Sequence, residues 1–279
     1  MTYGFITIVV AYFAQGCSFA QNFYLHNTSV TLTHLSTFIY HHLIEFISIY
    51  KYSSRLLHIW NTKLVEHGDI ARRVRRSTMK CANGSCLWPK AASGLVTIPY
   101  ALSAVYKNRL AITAAMLEFE TLTCIRFEPR THEKDFLNII SDSGCWSSVG
   151  RTGGVQDLSL QTDGCLVHGV IQHELNHAVG FIHEHNRSDR DAYISIMWEN
   201  IMKGLFDILD TNNVGLEYDY SSVMHYGKYA FSINYIRPSI KPIPNNFTPI
   251  GQRYGLSNLD VAKINKLYNC SKCNEREFL

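Results

Sequence analysis

The stretch His173-Glu174-Leu175-Asn176-His177-Ala178-Val179-Gly180-Phe181-Ile182-His183 decides how the rest of the chain is read. A helix brings residues i and i+4 to one face, so His173 and His177 present two imidazoles to a single ion. Gly180 can adopt the left-handed backbone that ends a helix and turns the chain back, and His183 then arrives as a third nitrogen ligand. The core His-Glu-x-x-His is only moderately specific by itself. Gly180 and His183 at their fixed spacing sharpen it, and core histidines without a metal become the weaker alternative. Three neutral imidazoles leave one position of a tetrahedral Zn2+ open, whereas a structural site is closed by four protein ligands. Glu174, beside a ligand, is the carboxylate placed to take a proton from water and hand it to a leaving group. One Zn2+ per chain is expected.

Outward from this helix, expected from about Val167 to Val179, residues 77–270 read as one α+β unit. Leu110, Ala111, Ala114, Ala115, Met116 and Leu117 recur at helical spacing within residues 108–120. Cys124–Glu128 and Asp157–Gln161 alternate like strands, and Leu137–Ile140 is a short apolar strand candidate. Ser257-Asn258-Leu259-Asp260 has the form of a capping box opening a helix to about Tyr268. Upstream, Leu35, Phe38, Ile39, Leu43, Phe46, Ile47 and Tyr50 predict an amphipathic helix. Glu66-His67-Gly68-Asp69 follows, and then Arg72-Arg73-Val74-Arg75-Arg76. Clustered arginines after a Gly-Asp turn form an exposed segment of the kind that proteases nick. Arg76 is therefore taken as the boundary between a segment 21–76 and the main unit, with 271–279 a tail.

With 279 residues, 46% of them hydrophobic, the chain can bury a sizeable core. Its formal net charge of +3 is concentrated in residues 21–76, while residues 77–279 are close to balanced. The main unit lacks the basic footprint of a nucleic-acid partner. The apolar stretch Phe5–Ala14, followed by small residues with a cleavage point near Ala20, reads as a signal peptide over residues 1–20. No other run reaches the ~18 apolar residues of a membrane span. The expected product is secreted and extracellular. Eight cysteines are present, Cys17 among them in the leader, and their wide spacing suits extracellular disulfides better than a zinc ribbon. Asn27, Asn83, Asn186 and Asn246 each begin Asn-x-Ser/Thr, a weak glycosylation signal.

The extended pattern His-Glu-x-x-His-x-x-Gly-x-x-His with a later methionine turn is the known metzincin signature. Here Glu184 directly follows the third histidine, Arg187 and Asp189 come next, and Ser222-Val223-Met224-His225-Tyr226 lies downstream. Together these resemble the astacin family of metzincins over residues 77–270. The resemblance implies a two-lobed zinc endopeptidase with a horizontal cleft, the active-site helix at its floor, and an edge strand above that pairs with an extended protein or peptide substrate. It implies that Met224 packs beneath the metal. Tyr226 is implied as an additional zinc ligand that can swing away and help bind the oxyanion; by sequence alone it could be ordinary core. Glu184 is implied to meet the amino terminus of the mature enzyme, while its own setting leaves a surface ion pair with Arg187 or Arg190 equally open. Asp69, in a Gly-Asp pair, is implied to occupy zinc's open position in the precursor, although Glu66 stands where the family usually has Phe.

The implied disulfides are Cys124–Cys270 and Cys145–Cys165, with Cys81–Cys86 as a third. That extra pair, Gly153-Gly154 and Ala230-Phe231-Ser232-Ile233 resemble the six-cysteine hatching-enzyme (choriolysin) and nephrosin group, which points to egg-envelope protein as substrate. The alternatives are a digestive or matrix-processing astacin of the same cysteine pattern and an inactive zinc-binding module, against which Glu174 and all three ligands are retained. An activating protease and a monomeric product are expected.

Overall fold

Apolar runs in the first half of the main unit assemble as a mostly parallel sheet, the arrangement that such runs favour when both faces are covered. The computed structural model describes residues 65–71, 85–107, 109–201, 205–234 and 236–271. The expected leader, the amphipathic helix upstream, Arg76, Cys81 and Cys273 lie outside the described residues.

Strands β1 (Val65–Glu66) and β2 (Ile70–Ala71) form a hairpin around His67-Gly68-Asp69. The main sheet contains β3 (Val96–Leu102), β4 (Ile125–Pro129), β5 (Phe136–Ile140), β6 (Cys145–Trp146) and β7 (Val155–Leu160), in the order β4-β3-β5-β7-β6. All pairs are parallel except β6 with β7 at the edge, and the registers include Ile98↔Phe127, Tyr100↔Leu137 and Leu137↔Gln156. Helices α1 (Leu110–Leu122) and α2 (His168–Val179) pack on the sheet. Ile112, Met116 and Phe119 of α1 share one core with Ile98, Ile125 and Phe127 and with Val170, Ile171 and Leu175 of α2. Phe119 meets Phe127 edge to face at 5.5 Å.

The helices expected over 108–120 and 167–179 are these two, displaced by a residue or two. Strand β3 was not among the expected strands, and Pro99 lies in its middle, where proline normally demotes a strand. The pairing explains why it is tolerated. Val96 N donates to Cys124 O and Ser103 N to Ile139 O, so even-numbered amides face β4 and odd-numbered ones face β5. Pro99 is odd, and β5 joins β3 only from Tyr100 onward. The missing amide therefore falls where no ladder bond was due.

Beyond α2 the chain is largely irregular, pinned by the antiparallel pair β8 (Ile194–Ile196) and β9 (Ile240–Pro242). Helix α3 (Asn258–Leu267) closes the unit, and its capping box is present: Ser257 Oγ accepts from Asp260 N at 2.9 Å, and Asp260 Oδ2 accepts from Ser257 N at 3.0 Å. Disulfide Cys124–Cys270, with Cα atoms 5.4 Å apart, ties the chain after α3 to the start of β4. Cys145–Cys165, with Cα atoms 5.7 Å apart, ties the edge strand to the loop before α2. Cys86 is also disulfide-bonded.

Candidate metal centre

Helix α2 is buried from Gly169 to Val179, so its polar residues lie inside the protein. It ends as its sequence suggests. Gly180 takes φ 131°, and its N–H donates to Asn176 O and His177 O at 3.1 and 2.9 Å. Two of the carbonyls that a helix end leaves open are taken from elsewhere: Trp88 Nε1 donates to Ala178 O at 2.9 Å and Tyr268 Oη to Val179 O at 2.6 Å. The turn at Gly180 brings His183 back, with its ring centroid 5.2 Å from that of His173 and 4.7 Å from that of His177. All three rings are fully buried.

His173 Nδ1 donates to Val223 O and His177 Nδ1 to Phe181 O, each at 2.7 Å. These bonds leave the Nε2 lone pairs facing inward. Into that space the β1–β2 hairpin delivers Asp69, also fully buried. Its carboxylate oxygens lie 3.2 Å from His173 Nε2, 3.4 Å from His177 Nε2 and 2.7 Å from His183 Nε2. One ligand atom from each of the four residues falls within 4.8 Å of the others. Bonds of ~2.0–2.1 Å at tetrahedral angles separate zinc's ligand atoms by roughly 3.3 Å, so this set of three nitrogens and a carboxylate oxygen fits Zn2+. Burial holds the His173 imidazole down to about 3 and that of His183 to about 4, so both are neutral at physiological pH, as ligands must be. Burial alone would raise Asp69, but His183, His173 and His177 around it keep its carboxyl well below the usual range.

Glu174 is buried on the same helix, and the carboxylate belongs to the surroundings of Tyr226. Burial pushes the Tyr226 phenol well above its usual range, and the negative charges of Asp69 and Glu174 add to that. Tyr226 Oη donates to His67 O at 2.6 Å, so the phenol is engaged by the hairpin. The hairpin also holds the sheet edge. Ala71 N donates to Ser147 O at 2.8 Å and Ser147 N to Asp69 O at 3.0 Å, in a parallel bridge just beyond β6.

Met224 is buried in the turn below; its N–H donates to Ser222 Oγ at 3.0 Å and its carbonyl accepts from Glu184 N at 3.1 Å. Glu184 makes no surface pair. It is buried, and it accepts from Lys263 Nζ at 2.7 Å on both oxygens, from Arg187 Nη1 at 3.1 Å and from Asp219 N at 2.9 Å. Arg190 turns elsewhere, to Asp191 and to the carbonyls of His185 and Phe206. Ser77 lies outside the described residues. Asn186 is buried with Nδ2 donating to Asp207 O at 2.7 Å, which closes it to a glycan; Asn246 is exposed.

Two residues near the centre had no signal in the motif. His185 stacks on His183 at 5.1 Å and on Tyr226 at 3.9 Å between ring centroids. Lys263 reaches Glu184 from α3, and its place one turn after the capping Asp260 was the available clue.

Comparison with known proteins gives a consistent picture. The peptidase family described as Astacin matches residues 83–269. High choriolytic enzyme 1 of Oryzias latipes is 52% identical over 213 residues, spanning 75% of this chain and 79% of that protein. The astacin-like metalloendopeptidase of Gallus gallus is 50% identical over 220 residues, and the chain spans 53% of its length. The solved structure of the Oryzias latipes enzyme, described as a hatching enzyme zinc-protease, superposes with a TM-score of 0.68 at 54% identity, covering 70% of this chain and 100% of that one. No helix among the described residues is long and apolar enough to cross a membrane.

Proposed function

The chain belongs to the astacin family of peptidases, and on that premise we propose that it is a secreted zinc endopeptidase of the hatching type, made as a latent precursor. The observation that carries the reading is the convergence of three buried imidazole Nε2 atoms on the Asp69 carboxylate, with Glu174 buried on the helix that carries two of them.

His173, His177 and His183 hold the metal. Bound there, zinc supplies Lewis acidity and brings the pKa of a water to near ~7. Glu174 takes the proton of the attacking water and returns it to the leaving amine. The Tyr226 phenol, kept neutral by its burial, donates to the developing oxyanion once it is released from His67 O. Met224 supports the floor of the site. Residues 21–76 form a pro-segment that blocks the centre twice: Asp69 takes the substrate's position among the imidazoles, and the backbone of residues 69–71 takes the edge beside β6 along which an extended substrate would pair. Cleavage after Arg76 by another protease removes both blocks, and the new terminus near Ser77 moves toward Glu184. The product acts as a monomer outside the cell.

The likeness to high choriolytic enzyme 1 supports egg-envelope protein as the substrate. The test is to incubate the chain cleaved after Arg76 with isolated egg envelopes and, separately, with casein, each with and without a chelator. Chelator-sensitive fragmentation of the envelope is expected. Casein cleavage with intact envelopes would favour the digestive or matrix-processing alternative, and no cleavage of either would refute the enzymatic reading.

A further inference from the structure

The three imidazoles are not held alike. His173 and His177 are each oriented by their own Nδ1–H bond to a backbone carbonyl. His183 Nδ1 has no hydrogen-bond partner among the described residues, although the ring is fully buried. Metal-bound histidines almost always use the second nitrogen for such a bond, which fixes the ring and its tautomer. The direction of the third ligand must be set in another way.

The chain that follows it supplies one. Glu184, the next residue, is fastened through its backbone to Met224 O and through its carboxylate to Lys263, Arg187 and Asp219 N. Arg187 belongs to the same short segment and ties it to the loop at Leu216 and Glu217, whose carbonyls accept from its guanidinium at 3.1 and 2.9 Å, while it reaches only one oxygen of Glu184. Lys263 ties it to a helix: it comes from α3, it touches both carboxylate oxygens, and α3 is secured at its far end by Cys270–Cys124. One turn earlier on α3, Asp260 accepts from Ser222 Oγ at 2.6 Å and from Val223 N at 2.8 Å, fixing the residue whose carbonyl orients His173. The same helix thus reaches the first ligand through Val223 and the third through Glu184.

We propose that Lys263 is a positioning residue for the metal centre, holding His183 in place through the buried carboxylate of Glu184 in lieu of the Nδ1 bond that His183 lacks. The inference rests on the zinc reading above. Lys263 touches neither metal nor substrate, and its effect is on how well three ligands are pre-arranged.

The test uses the full uncut chain as wild type, Lys263→Met, the double variant Glu184→Gln with Lys263→Met, His183→Ala, and Lys266→Met as an exposed control on the same helix. Zinc affinity is measured by chelator competition, ligand geometry by the absorption spectrum of the Co2+-loaded protein, and stability by thermal unfolding without metal. Lys263→Met should bind zinc roughly 10- to 100-fold more weakly, the usual range for loss of a group that orients a ligand, with an altered Co2+ spectrum. Lys266→Met should match wild type. The double variant separates positioning from charge balance: it leaves no unpaired carboxylate, so the metal-free protein regains stability, yet zinc should stay weak because the anchor is gone. Wild-type zinc affinity in Lys263→Met, or full recovery in the double variant, would overturn the proposal. Unchanged zinc binding in His183→Ala would instead remove the metal site on which it rests.

Discussion

Replacing Gly68 with alanine should weaken the latch while leaving His173, His177, His183 and Asp69 unsubstituted. Gly68 sits at φ 98°, and a Cβ built there would lie 2.1 Å from Tyr226 Oη and 2.9 Å from Phe231 Cζ. Left-handed backbone costs a residue with a side chain ~1–2 kcal/mol, and forcing an extra carbon into a packed site costs ~1–3 kcal/mol. Tyr226 cannot yield cheaply, since its ring centroid is 3.9 Å from that of His185 and 5.2 Å from that of Phe231. Shifting the phenol would also strain its bond to His67 O. The combined penalty of roughly 2–5 kcal/mol falls on the latched form alone. At 1.4 kcal/mol per tenfold, the ratio of open to latched chain should rise by roughly 30-fold to several thousand-fold. The assay is hydrolysis of a fluorogenic peptide by uncut protein at equal zinc content, with intact mass confirming that the pro-segment is still attached. Uncut Gly68→Ala should be measurably active where uncut wild type is silent, and the two should be equal once cleaved. Silence of the uncut variant would refute the account of how the hairpin seats.

Three further outcomes are expected. Glu174→Gln should retain zinc and lose at least ~100-fold in peptide hydrolysis, the lower range for removal of a general base; near-normal turnover in a zinc-loaded variant would remove Glu174 from that role. Breaking Cys145–Cys165, which are 20 residues apart, should cost ~3 kcal/mol in the chain-entropy picture, read as a lower midpoint in denaturant, and an unchanged midpoint would argue against it. Stripping zinc with a chelator should lower the unfolding temperature of the uncut chain, because an ion that binds the folded state alone stabilises it by RT ln(1 + [L]/Kd); no shift would count against a tight site at these histidines.

How much of this was legible in the sequence depended on how local the interaction was. His173 and His177 share a helix turn, Gly180 marks its end, and Ser257 and Asp260 cap their own helix, so each could be read from neighbours in the chain. Strand β3 was not read from the sequence; Pro99 within it argues against a strand, and only the register shows that its missing amide faces no partner. The seating of Asp69 joins residues 104 positions apart, and nothing in composition or periodicity points to it; the family resemblance did. Lys263 and Glu184 are 79 positions apart, and each could be taken for an ordinary helix-face or surface charge. The engagement of Tyr226 by His67 was likewise invisible, because a backbone carbonyl carries no residue-type signal.

The central claim is that the folded peptidase is held silent by its own upstream segment. It is tested most directly by assaying uncut protein beside the same protein cleaved after Arg76, at equal zinc occupancy, on one peptide substrate. The account predicts activity in the cleaved form and near silence in the uncut one, with Asp69→Ala restoring measurable activity without cleavage. Equal activity of cut and uncut wild type would contradict it and return Asp69 to the role of a turn residue.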